Sequence, residues 1–257
     1  MRIAVTGVGF DAVTMQEAIA WIKTSVADRT LSRFICTGNL DHLVLLDRDD
    51  EFRSVYDDAD LVLADGAPVV WLSKLSARKN RPALPERVAG SDLFWEVARL
   101  SHDEGIRLFF LGGAPGSVEN AAAAVRNRYS KATIAGVYCP PFETFSDREE
   151  QDRILKTIND AQPDVLLVGL GAPKQEKWIW ANRETLQVPV SIGVGGSFEM
   201  ACGHVQRAPI WMRKNGLEWA FRFVQEPSRL YKRYFVNDVP FLFKAAVETL
   251  RNKKEVV

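Results

Sequence analysis

The sequence predicts an α/β fold in which a mostly parallel sheet carries helices on both faces. Two observations predict it: short apolar runs alternate with helical patterns over residues 1–206, and several runs are apolar throughout, as in strands buried on both sides. A third observation adds a short helical appendage, because residues 209–251 contain no convincing strand. We therefore predict an α/β domain over residues 1–206 and a helical C-terminal segment over residues 207–257.

The predicted elements are separated by turn or capping residues. Thr14 and Glu17 form a capping-box pattern at the start of the first helix, and Ser91 or Asp92 can cap the second. The predicted helices are Met15–Val26, Ser91–His102, an Ala-rich stretch that ends at Tyr129, and Asp147–Asp160. The predicted strands are Ile3–Val5, Phe34–Cys36, Leu61–Ala64, Arg107–Leu111, Thr133–Tyr138, Val165–Val168 and Val190–Val194.

Composition narrows the classes of function. The 257 residues are 47% apolar, and the 33 basic and 33 acidic residues balance, so no positive excess indicates nucleic-acid binding. Three widely spaced cysteines, Cys36, Cys139 and Cys202, predict neither a disulfide framework nor a metal clip and fit a reducing cytosol. The first residues enter a strand directly and no apolar run reaches the ~18 residues of a membrane-spanning helix, so we expect a cytoplasmic protein.

The C-terminal segment is basic and aromatic in an otherwise acidic chain. From Arg207 onward there are 11 basic and 5 acidic residues, a net charge of +6, against −6 for residues 1–206. The segment also holds nine aromatic residues, and Gly216, Pro227 and Pro240 divide it into two or three predicted helices. Two interpretations stay open: helices packed on the sheet with solvated basic side chains, or a surface for phosphates and an apolar partner.

A glycine motif near the N-terminus matches a cofactor-binding pattern only in part. Gly7–Ala12 matches the GxGxxA pattern of dinucleotide-binding proteins. The acidic residue expected at the end of the second strand is absent, because Thr37-Gly-Asn39 stands there, and the predicted helix begins after the motif. These observations argue against a nicotinamide or flavin enzyme.

The sequence also predicts no metal cofactor. Asp47-Arg-Asp49 and Asp58-Ala-Asp60 match the DxD pattern that holds a metal and a diphosphate in many sugar transferases, but neither lies at the carboxyl end of a strand. The three histidines, His42, His102 and His204, are far apart in the sequence, and no GxSxG motif supports serine hydrolysis.

The most informative segment is Gly169–Trp178, which follows the apolar strand Val165–Val168. Its polar residues Lys174, Gln175 and Glu176 are costly at a buried strand end unless they serve a ligand. Polar or Gly-rich loops also end other strands, at Thr37–Asn39, Ala64–Gly66, Gly112–Gly113 and Gly193–Ser197. Because the carboxyl ends of parallel strands share one edge of a sheet, we predict a ligand crevice there.

Two of these loops suggest particular chemistry. Asp65 stands between a buried strand and Gly66, where desolvation raises the pKa of a carboxyl toward values useful for a general base. The alternative is that Asp65 caps the next helix. Gly112–Gly116 precedes a helix, and the backbone N–H groups of such a turn suit a diphosphate.

A set of short motifs occurs in a fixed order over nearly the whole chain. The motifs are Thr37–Asn39, Ala64–Gly66, Glu86–Asp92, Phe109–Gly113, Gly169–Trp178, Gly193–Phe198, Arg207–Pro209, Gly216–Trp219 and Glu226–Tyr234. Together they resemble the WecG/TagA/CpsF glycosyltransferases. Such enzymes transfer a sugar from a UDP-activated donor to a polyprenyl-diphosphate-linked acceptor in the synthesis of bacterial cell-surface polysaccharides.

The resemblance implies a fold, a mechanism and site residues. It implies a Rossmann-like core, an inverting and metal-independent reaction, and a C-terminal appendage that brings the protein to the inner face of the cell membrane. By motif, Asp65 is the catalytic base and Thr37 a catalytic hydroxyl that positions the substrate. The loops at Gly113, Gln175 and Gly195 are inferred to contact the nucleotide-sugar.

The predicted substrate-binding residues share either a loop position or a positive charge. Those in loops or beside them are Asn39, Gly112, Gly113, Gly171, Lys174, Gln175, Glu176, Gly195 and Gly196. The cations, which would stabilise diphosphate charge without a metal, are Arg87, Arg207, Arg213, Arg222, Arg229 and Arg233.

Two other functions stay open on the sequence alone. One is a soluble UDP-sugar transferase that acts on a free acceptor and uses the C-terminal segment as an oligomer interface. The other is a non-catalytic nucleotide-sugar-binding subunit of a partner enzyme. N-acetylmannosamine, its uronic acid and glucose are all candidates for the transferred sugar.

Overall fold

The computed structural model describes residues 1–78 and 82–254, and for residues 214, 229 and 252–254 it describes the backbone alone. The strands are β1 (Arg2–Val5), β2 (Val8–Asp11), β3 (Arg33–Gly38), β4 (Leu61–Ala64), β5 (Arg107–Gly112), β6 (Thr133–Tyr138), β7 (Val165–Gly169) and β8 (Val190–Gly193). The helices up to residue 201 are α1 (Met15–Ala27), α2 (Leu40–Leu46), α3 (Asp50–Asp58), α4 (Ala67–Ser76), α5 (Gly90–Glu104), α6 (Ser117–Arg128), α7 (Arg148–Ala161), α8 (Lys174–Asn182) and α9 (Ser197–Ala201).

Six strands form a parallel sheet in the order β4-β3-β8-β7-β5-β6, and helices flank it. The register pairs Phe34 with Ser191 between β3 and β8, and Leu166 with Ser191 between β7 and β8. Helices connect the parallel strands because a parallel pair needs a crossover of a dozen residues or more. The predicted α/β class with a mostly parallel sheet is therefore confirmed.

The N-terminal strand departs from the predicted alternation. β1 pairs antiparallel with β2 in a separate two-stranded sheet, with Val5 opposite Val8. Only Thr6 and Gly7 separate the two strands, and both have positive φ, 49° and 81°. Two residues with positive φ make the tight turn of a β-hairpin and leave no room for a crossover helix. Gly7, which matched the dinucleotide pattern, is thus a hairpin residue followed by a strand.

The chain divides into two compact units. Unit 1 comprises Met1–Thr14, Thr37–Ala89 and Gln206–Val257, and unit 2 comprises Met15–Cys36 and Gly90–Val205. The C-terminal segment therefore groups with the N-terminal hairpin and α2–α4. A sequence pattern reveals the change of composition near residue 206 but not which earlier elements the later helices contact. The predicted functional division at residue 206 stays a prediction.

The core of unit 2 is built around aromatic rings. The ring of Phe198 is fully buried and lies 5.3 Å from Phe110 and 6.0 Å from Phe94, measured between centroids. A Cβ atom added to Gly169, at the end of β7, would lie 2.7 Å from the Phe198 ring. Gly169 therefore has to be glycine because the strand end packs directly on this ring.

The core of unit 1 contains a histidine that the sequence left unassigned. His42 is buried against Phe52 and Tyr56, and its Nδ1 shares a hydrogen bond of 2.5 Å with the Tyr56 hydroxyl. Burial, reinforced by the positive charge of Arg233, lowers the pKa of His42 to about 3. The ring is therefore a neutral core group at physiological pH.

The C-terminal segment is helical, as predicted, but is divided more often than the two or three predicted helices. It comprises α10 (Ile210–Lys214), α11 (Glu218–Gln225), α12 (Pro227–Tyr231), a π-helix (Lys232–Asp238) and α13 (Val239–Lys254). Pro227 lies in the first turn of α12, where the missing N–H of proline does no harm, and Pro240 is the second residue of α13, directly after the π-helix. Over the described ranges no helix combines the length and apolarity needed to cross a bilayer.

Candidate functional site

Asp65 lies directly after β4, whose four residues are all buried. Its N–H donates to the Gly38 carbonyl at 2.8 Å, and the Val88 N–H donates to the Ala64 carbonyl at 2.9 Å. These two backbone hydrogen bonds gather three predicted motifs of unit 1: the Thr37–Asn39 loop, Asp65 with Gly66, and the segment that contains Arg87. The backbone of Asp65 is thus held beside the end of β3, and its side chain is half-buried.

Two roles were predicted for Asp65, a general base and a helix cap. Gly66, not Asp65, occupies the N-cap position of α4. The catalytic role of Asp65 stays a prediction. Asn39, by contrast, is the N-cap of α2, and its Oδ1 accepts from the His42 N–H at 3.2 Å. The Asn39 side chain therefore has a structural role as the cap of α2.

Thr37 and Gly38 occupy a crowded strand end. Thr37 is 5% exposed, and a Cβ atom added to Gly38 would lie 2.8 Å from the Phe10 ring and 3.0 Å from the Tyr56 hydroxyl. Gly38 is required because the aromatic core of unit 1 reaches the backbone at this point. Sequence analysis singled out the motif but had no means of finding this packing constraint.

Arg87 contacts the C-terminal segment. Its Nη1 donates to Oε2 of Glu218, at the start of α11, at 2.8 Å. Both side chains are largely shielded, with 19% and 15% of their surface exposed. The cation predicted to bind diphosphate therefore already has an anionic partner, which the sequence analysis did not select.

The other predicted cations differ in their surroundings. Nε of Arg233 lies 3.4 Å from Asp41 Oδ1 and 3.8 Å from Asp238 Oδ2, so it joins the π-helix to α2. Burial, together with repulsion from Asp41, raises the pKa of Asp238 to about 7 against the opposing effect of Arg233.

The remaining arginines of the C-terminal segment have other surroundings. Nε of Arg213 donates to the Ala208 carbonyl. Arg207, Arg213 and Arg222 are half-buried, whereas the side chain of Arg229 lies outside the described residues.

In unit 2, the ends of β5 and β7 approach each other closely. The Gly113 N–H donates to the Gly169 carbonyl at 2.7 Å, and a Cβ atom added to Gly112 would lie 2.8 Å from that carbonyl oxygen. Gly112 and Gly113 both have positive φ, 98° and 76°. The two predicted loops are therefore one connected structure at the carboxyl ends of neighbouring strands.

A carboxylate lies at the loop that was predicted to hold a diphosphate. Oε1 of Glu199 accepts from the Ala114 N–H at 3.0 Å and from the Ser117 hydroxyl at 3.4 Å. Glu199 belongs to α9 and was missed because nothing in the sequence indicates that it reaches the start of α6. Diphosphate binding to this loop stays a prediction, and it would require Glu199 to move, since like charges repel.

Gln175 and Glu176 are buried at the start of α8 rather than exposed in the loop. Oε1 of Gln175 accepts from the Gly195 N–H at 3.0 Å, and its Nε2 donates to Oε1 of Glu176 at 2.6 Å. A Cβ atom added to Gly193 would lie 2.8 Å from that same Nε2. The pair therefore fixes the loop that follows β8, and hydrogen bonds within the protein offset part of the cost of burying these two polar side chains.

Three glycines of these loops have open surroundings, unlike the glycines that pack against a neighbouring ring or backbone. A Cβ atom added to Gly171 or Gly195 would meet nothing within 4 Å. Gly196, beside Gly195, is exposed and forms the N-cap of the short helix α9. Open space around backbone groups at strand ends is what a ligand requires to approach closely.

Lys174 lies above two aromatic rings. Its Nζ is 3.6 Å from the centroid of Phe145 and 5.3 Å from that of Phe142. Burial lowers the pKa of this amine. The ring faces attract the ammonium, so Lys174 is held by cation–π contacts from a segment that the sequence analysis did not consider.

Unit 1 also contains a pocket of about 290 Å³ that is distinct from the strand-end loops. It is lined by the β1–β2 turn and by the later turns of α2 and α4, whereas Asp65 precedes the first turn of α4. Arg53, Arg78 and Lys244 line it together with Asp47 and Glu248. Because the cations there are accompanied by carboxylates, the pocket does not present the positive surface expected for a diphosphate.

Glu176 provides a prediction of pH dependence. Burial raises the pKa of its carboxyl from 4.5 to about 7, against the opposing effect of the Gln175 hydrogen bond. Between these two pH values the unfolded side chain loses its proton and the folded one keeps it, so the free energy of unfolding falls as the pH rises. Glu176→Gln lacks this loss, and we expect its stability relative to wild type to improve by roughly 3 kcal/mol from pH 4.5 to pH 7.

Urea unfolding at a series of pH values measures this difference. Glu143→Gln, at an exposed glutamate, is the matched control and should show no such trend. A stability difference between Glu176→Gln and wild type that does not change with pH would contradict the prediction.

Comparison with known proteins assigns the chain to a family. The model of the glycosyl transferase WecG/TagA/CpsF family matches residues 3–255. Two relatives named N-acetylglucosaminyldiphosphoundecaprenol N-acetyl-beta-D-mannosaminyltransferase are similar to this chain. The one from Bacillus subtilis (strain 168) is 32% identical over 92% of this chain and 87% of its own length. The one from Staphylococcus aureus (strain MW2) is 31% identical over 98% and 95%. The chain therefore belongs to the WecG/TagA/CpsF family of glycosyltransferases.

Proposed function

We propose that this protein transfers N-acetylmannosamine from a UDP-sugar to a polyprenyl-diphosphate-linked N-acetylglucosamine, with inversion at the transferred carbon. The names of its relatives support the sugar and the acceptor, since both relatives are N-acetylmannosaminyltransferases that act on N-acetylglucosaminyldiphosphoundecaprenol. The observation that supports the assignment of the base is the position of Asp65, whose backbone is bonded to Gly38 at the end of β4 and which precedes the N-cap residue of α4.

Inversion requires a single displacement. Asp65 takes the proton of the acceptor hydroxyl while that oxygen attacks the anomeric carbon and UDP leaves from the opposite face. Thr37 orients the hydroxyl. The fixed backbone of Asp65 supports this role, because a general base has to stay within hydrogen-bond reach of the proton that it removes.

The leaving diphosphate gains negative charge as the glycosidic bond breaks. Backbone N–H groups and guanidinium groups stabilise such charge without a metal. In unit 1, which also carries Asp65, the candidate guanidinium groups are those of Arg87 and Arg222. Arg233 is a weaker candidate than the sequence suggested, because Asp41 and Asp238 lie beside its guanidinium.

The positions of the two DxD motifs support a reaction without a metal. Asp49 caps α3 through the Phe52 N–H, and Asp47 follows the end of α2. Asp58 ends α3, and Asp60 precedes β4 at its amino end, away from Asp65. Each pair therefore lies at helix ends or ahead of a strand rather than at the carboxyl end where the base is proposed.

The C-terminal segment is proposed to meet an anionic membrane surface on the cytoplasmic side. Several of its large apolar side chains are exposed, among them Trp211 at 61%, Val224 at 78% and Phe243 at 73%. The same segment carries a net charge of +6. Exposed aromatic residues beside basic residues are typical of interfacial attachment. Leu230, Tyr234 and Ala245 of the segment are buried, so it also contributes to the core of unit 1.

Asp65→Asn tests the proposed base. The change keeps the shape of the side chain and removes its basicity, so we expect kcat to fall by roughly 10²–10⁴-fold while the Kd for UDP stays close to wild type. Transfer to a lipid-linked acceptor and UDP titration measure the two quantities. Asp57→Asn, at an exposed carboxylate at the end of α3, is the control. Normal turnover in a folded Asp65→Asn protein would place the base elsewhere.

Chelation tests the role of metal. We expect transfer to continue at its normal rate in excess EDTA, because neither DxD pair lies where it could bridge the donor diphosphate. The measurement is the initial rate before and after dialysis against the chelator. Loss of activity that manganese restores, and that Asp58→Asn also produces, would show that a metal site is used.

Liposome flotation tests membrane attachment. Each basic residue near an anionic leaflet contributes about 1 kcal/mol, so binding should weaken strongly as salt rises. The double substitution Trp211→Ser with Phe243→Ser removes exposed apolar surface and should reduce binding further. Leu31→Ser, at a site that is 60% exposed in unit 2, is the control. Unchanged flotation of the double variant would favour a soluble transferase.

A further inference from the structure

We propose that Glu218 is a positioning residue for the transfer reaction, whose carboxylate orients the Arg87 guanidinium toward the diphosphate. This inference rests on the proposed function and adds to it a residue that acts through another. In this view the C-terminal segment serves the reaction through an acidic side chain as well as through its basic ones.

The ion pair has the geometry of a strong contact. Arg87 Nη1 and Glu218 Oε2 are 2.8 Å apart, although 131 positions separate the two residues in the sequence. With 19% and 15% of their side-chain surfaces exposed, the two groups are shielded from water, which strengthens their attraction. A guanidinium carries five N–H donors in one plane, so a carboxylate bound at one nitrogen sets the direction of the others.

Arg87 is anchored beside the proposed base. The N–H of Val88, the next residue, donates to the carbonyl of Ala64 at 2.9 Å, and Ala64 immediately precedes Asp65. The backbone that carries Arg87 thus runs alongside the end of β4. A change in the orientation of its guanidinium would therefore alter the electrostatic potential close to the reacting groups.

Glu218 is anchored to the same region by a tightly packed glycine. Gly216 is buried with a φ of 73°, and a Cβ atom added there would lie 2.8 Å from Cβ of Ala67 and 2.9 Å from the Trp71 ring. Ala67 is the first residue of α4 and follows Asp65 by two positions. The C-terminal segment is thus held against the start of α4, which places the carboxylate of Glu218 within reach of Arg87.

A purely structural role makes different predictions. Glu218 is the first residue of α11, where a carboxylate stabilises a helix by its interaction with the helix dipole. It could also serve only to attach the C-terminal segment. Loss of the dipole interaction would lower the melting temperature with an effect on kcat that is independent of Arg87, whereas loss of an attachment would lower liposome binding as well as kcat.

The decisive experiment is a double-mutant cycle of Glu218→Gln and Arg87→Ala. We expect Glu218→Gln alone to lower kcat roughly 10-fold or more, with little change in KM for the UDP-sugar or in flotation, and to lower the melting temperature because a shielded ion pair is lost. In the Arg87→Ala background it should have no further effect on kcat, because the residue through which it acts is gone. Glu218→Asp, which keeps the charge, should retain more activity than Glu218→Gln.

Controls separate this inference from the function on which it rests. Glu248→Gln removes the same charge from an exposed position of α13 and should leave kcat unchanged. Wild-type kcat in Glu218→Gln, or losses that multiply independently in the double variant, would overturn the positioning role while the transferase function stands. A wild-type protein that transfers no sugar would overturn both. If a variant is less stable, all four proteins are assayed at a temperature at which each is folded. The test is then whether the fall in kcat of the double variant equals the product of the falls in the two single variants.

Discussion

The close approach of backbone segments at the carboxyl ends of the strands is the constraint on which the rest of the structure depends. At Gly38 the Phe10 ring would lie 2.8 Å from an added Cβ atom, and at Gly169 the Phe198 ring would lie 2.7 Å away. Because glycine has no side chain, aromatic rings of the core pack directly against the backbone at these strand ends. The loops can then form hydrogen bonds to one another through their backbones. The N–H groups of Asp65 and Gly113 make such bonds, at 2.8 Å and 2.7 Å. The predicted site residues at these strand ends are therefore carried by backbone that hydrogen bonds hold in place, which suits groups that must be placed accurately.

Polar side chains also hold the loops that follow the strands, through hydrogen bonds to their backbones. Gln175 bonds to the Gly195 N–H and to Glu176, so the loop after β8 is held by a side chain of α8. The Oε2 atom of Glu176 has no hydrogen-bond partner among the described residues, which fits a carboxyl that keeps its proton near neutral pH. Glu199 plays a similar part at the start of α6, where it accepts from Ala114. Gln175 and Glu176, which were predicted to contact a ligand, thus hold a loop, and the space around Gly171 and Gly195 stays open.

The C-terminal segment combines two interpretations that the sequence kept apart. Leu230, Tyr234 and Ala245 are buried, and Arg233 pairs with Asp41, so the segment packs as part of unit 1. Trp211 and Phe243 stay exposed, which leaves apolar surface for the proposed membrane contact. Glu218 and Gly216 contact the region of the proposed base, so the proposed membrane contact and the proposed site involve the same segment. A family of enzymes that acts on lipid-linked acceptors has a clear physical reason to couple the two.

The sequence by itself determined the α/β class, the positions of the six strands of the parallel sheet and the family, because hydrophobic periodicity, glycine-rich turns and motif order are local properties of a chain. It identified Asp65 as a strand-end carboxylate for the same reason. It did not determine that Ile3–Val5 pairs in a hairpin, that Glu199 reaches the loop at Ala114, or that Glu218 pairs with Arg87. Those contacts join residues up to 131 positions apart, and their energy exists only once folding has brought the partners together and removed water from between them. Which polar side chains hold a loop was therefore decided by the tertiary structure alone.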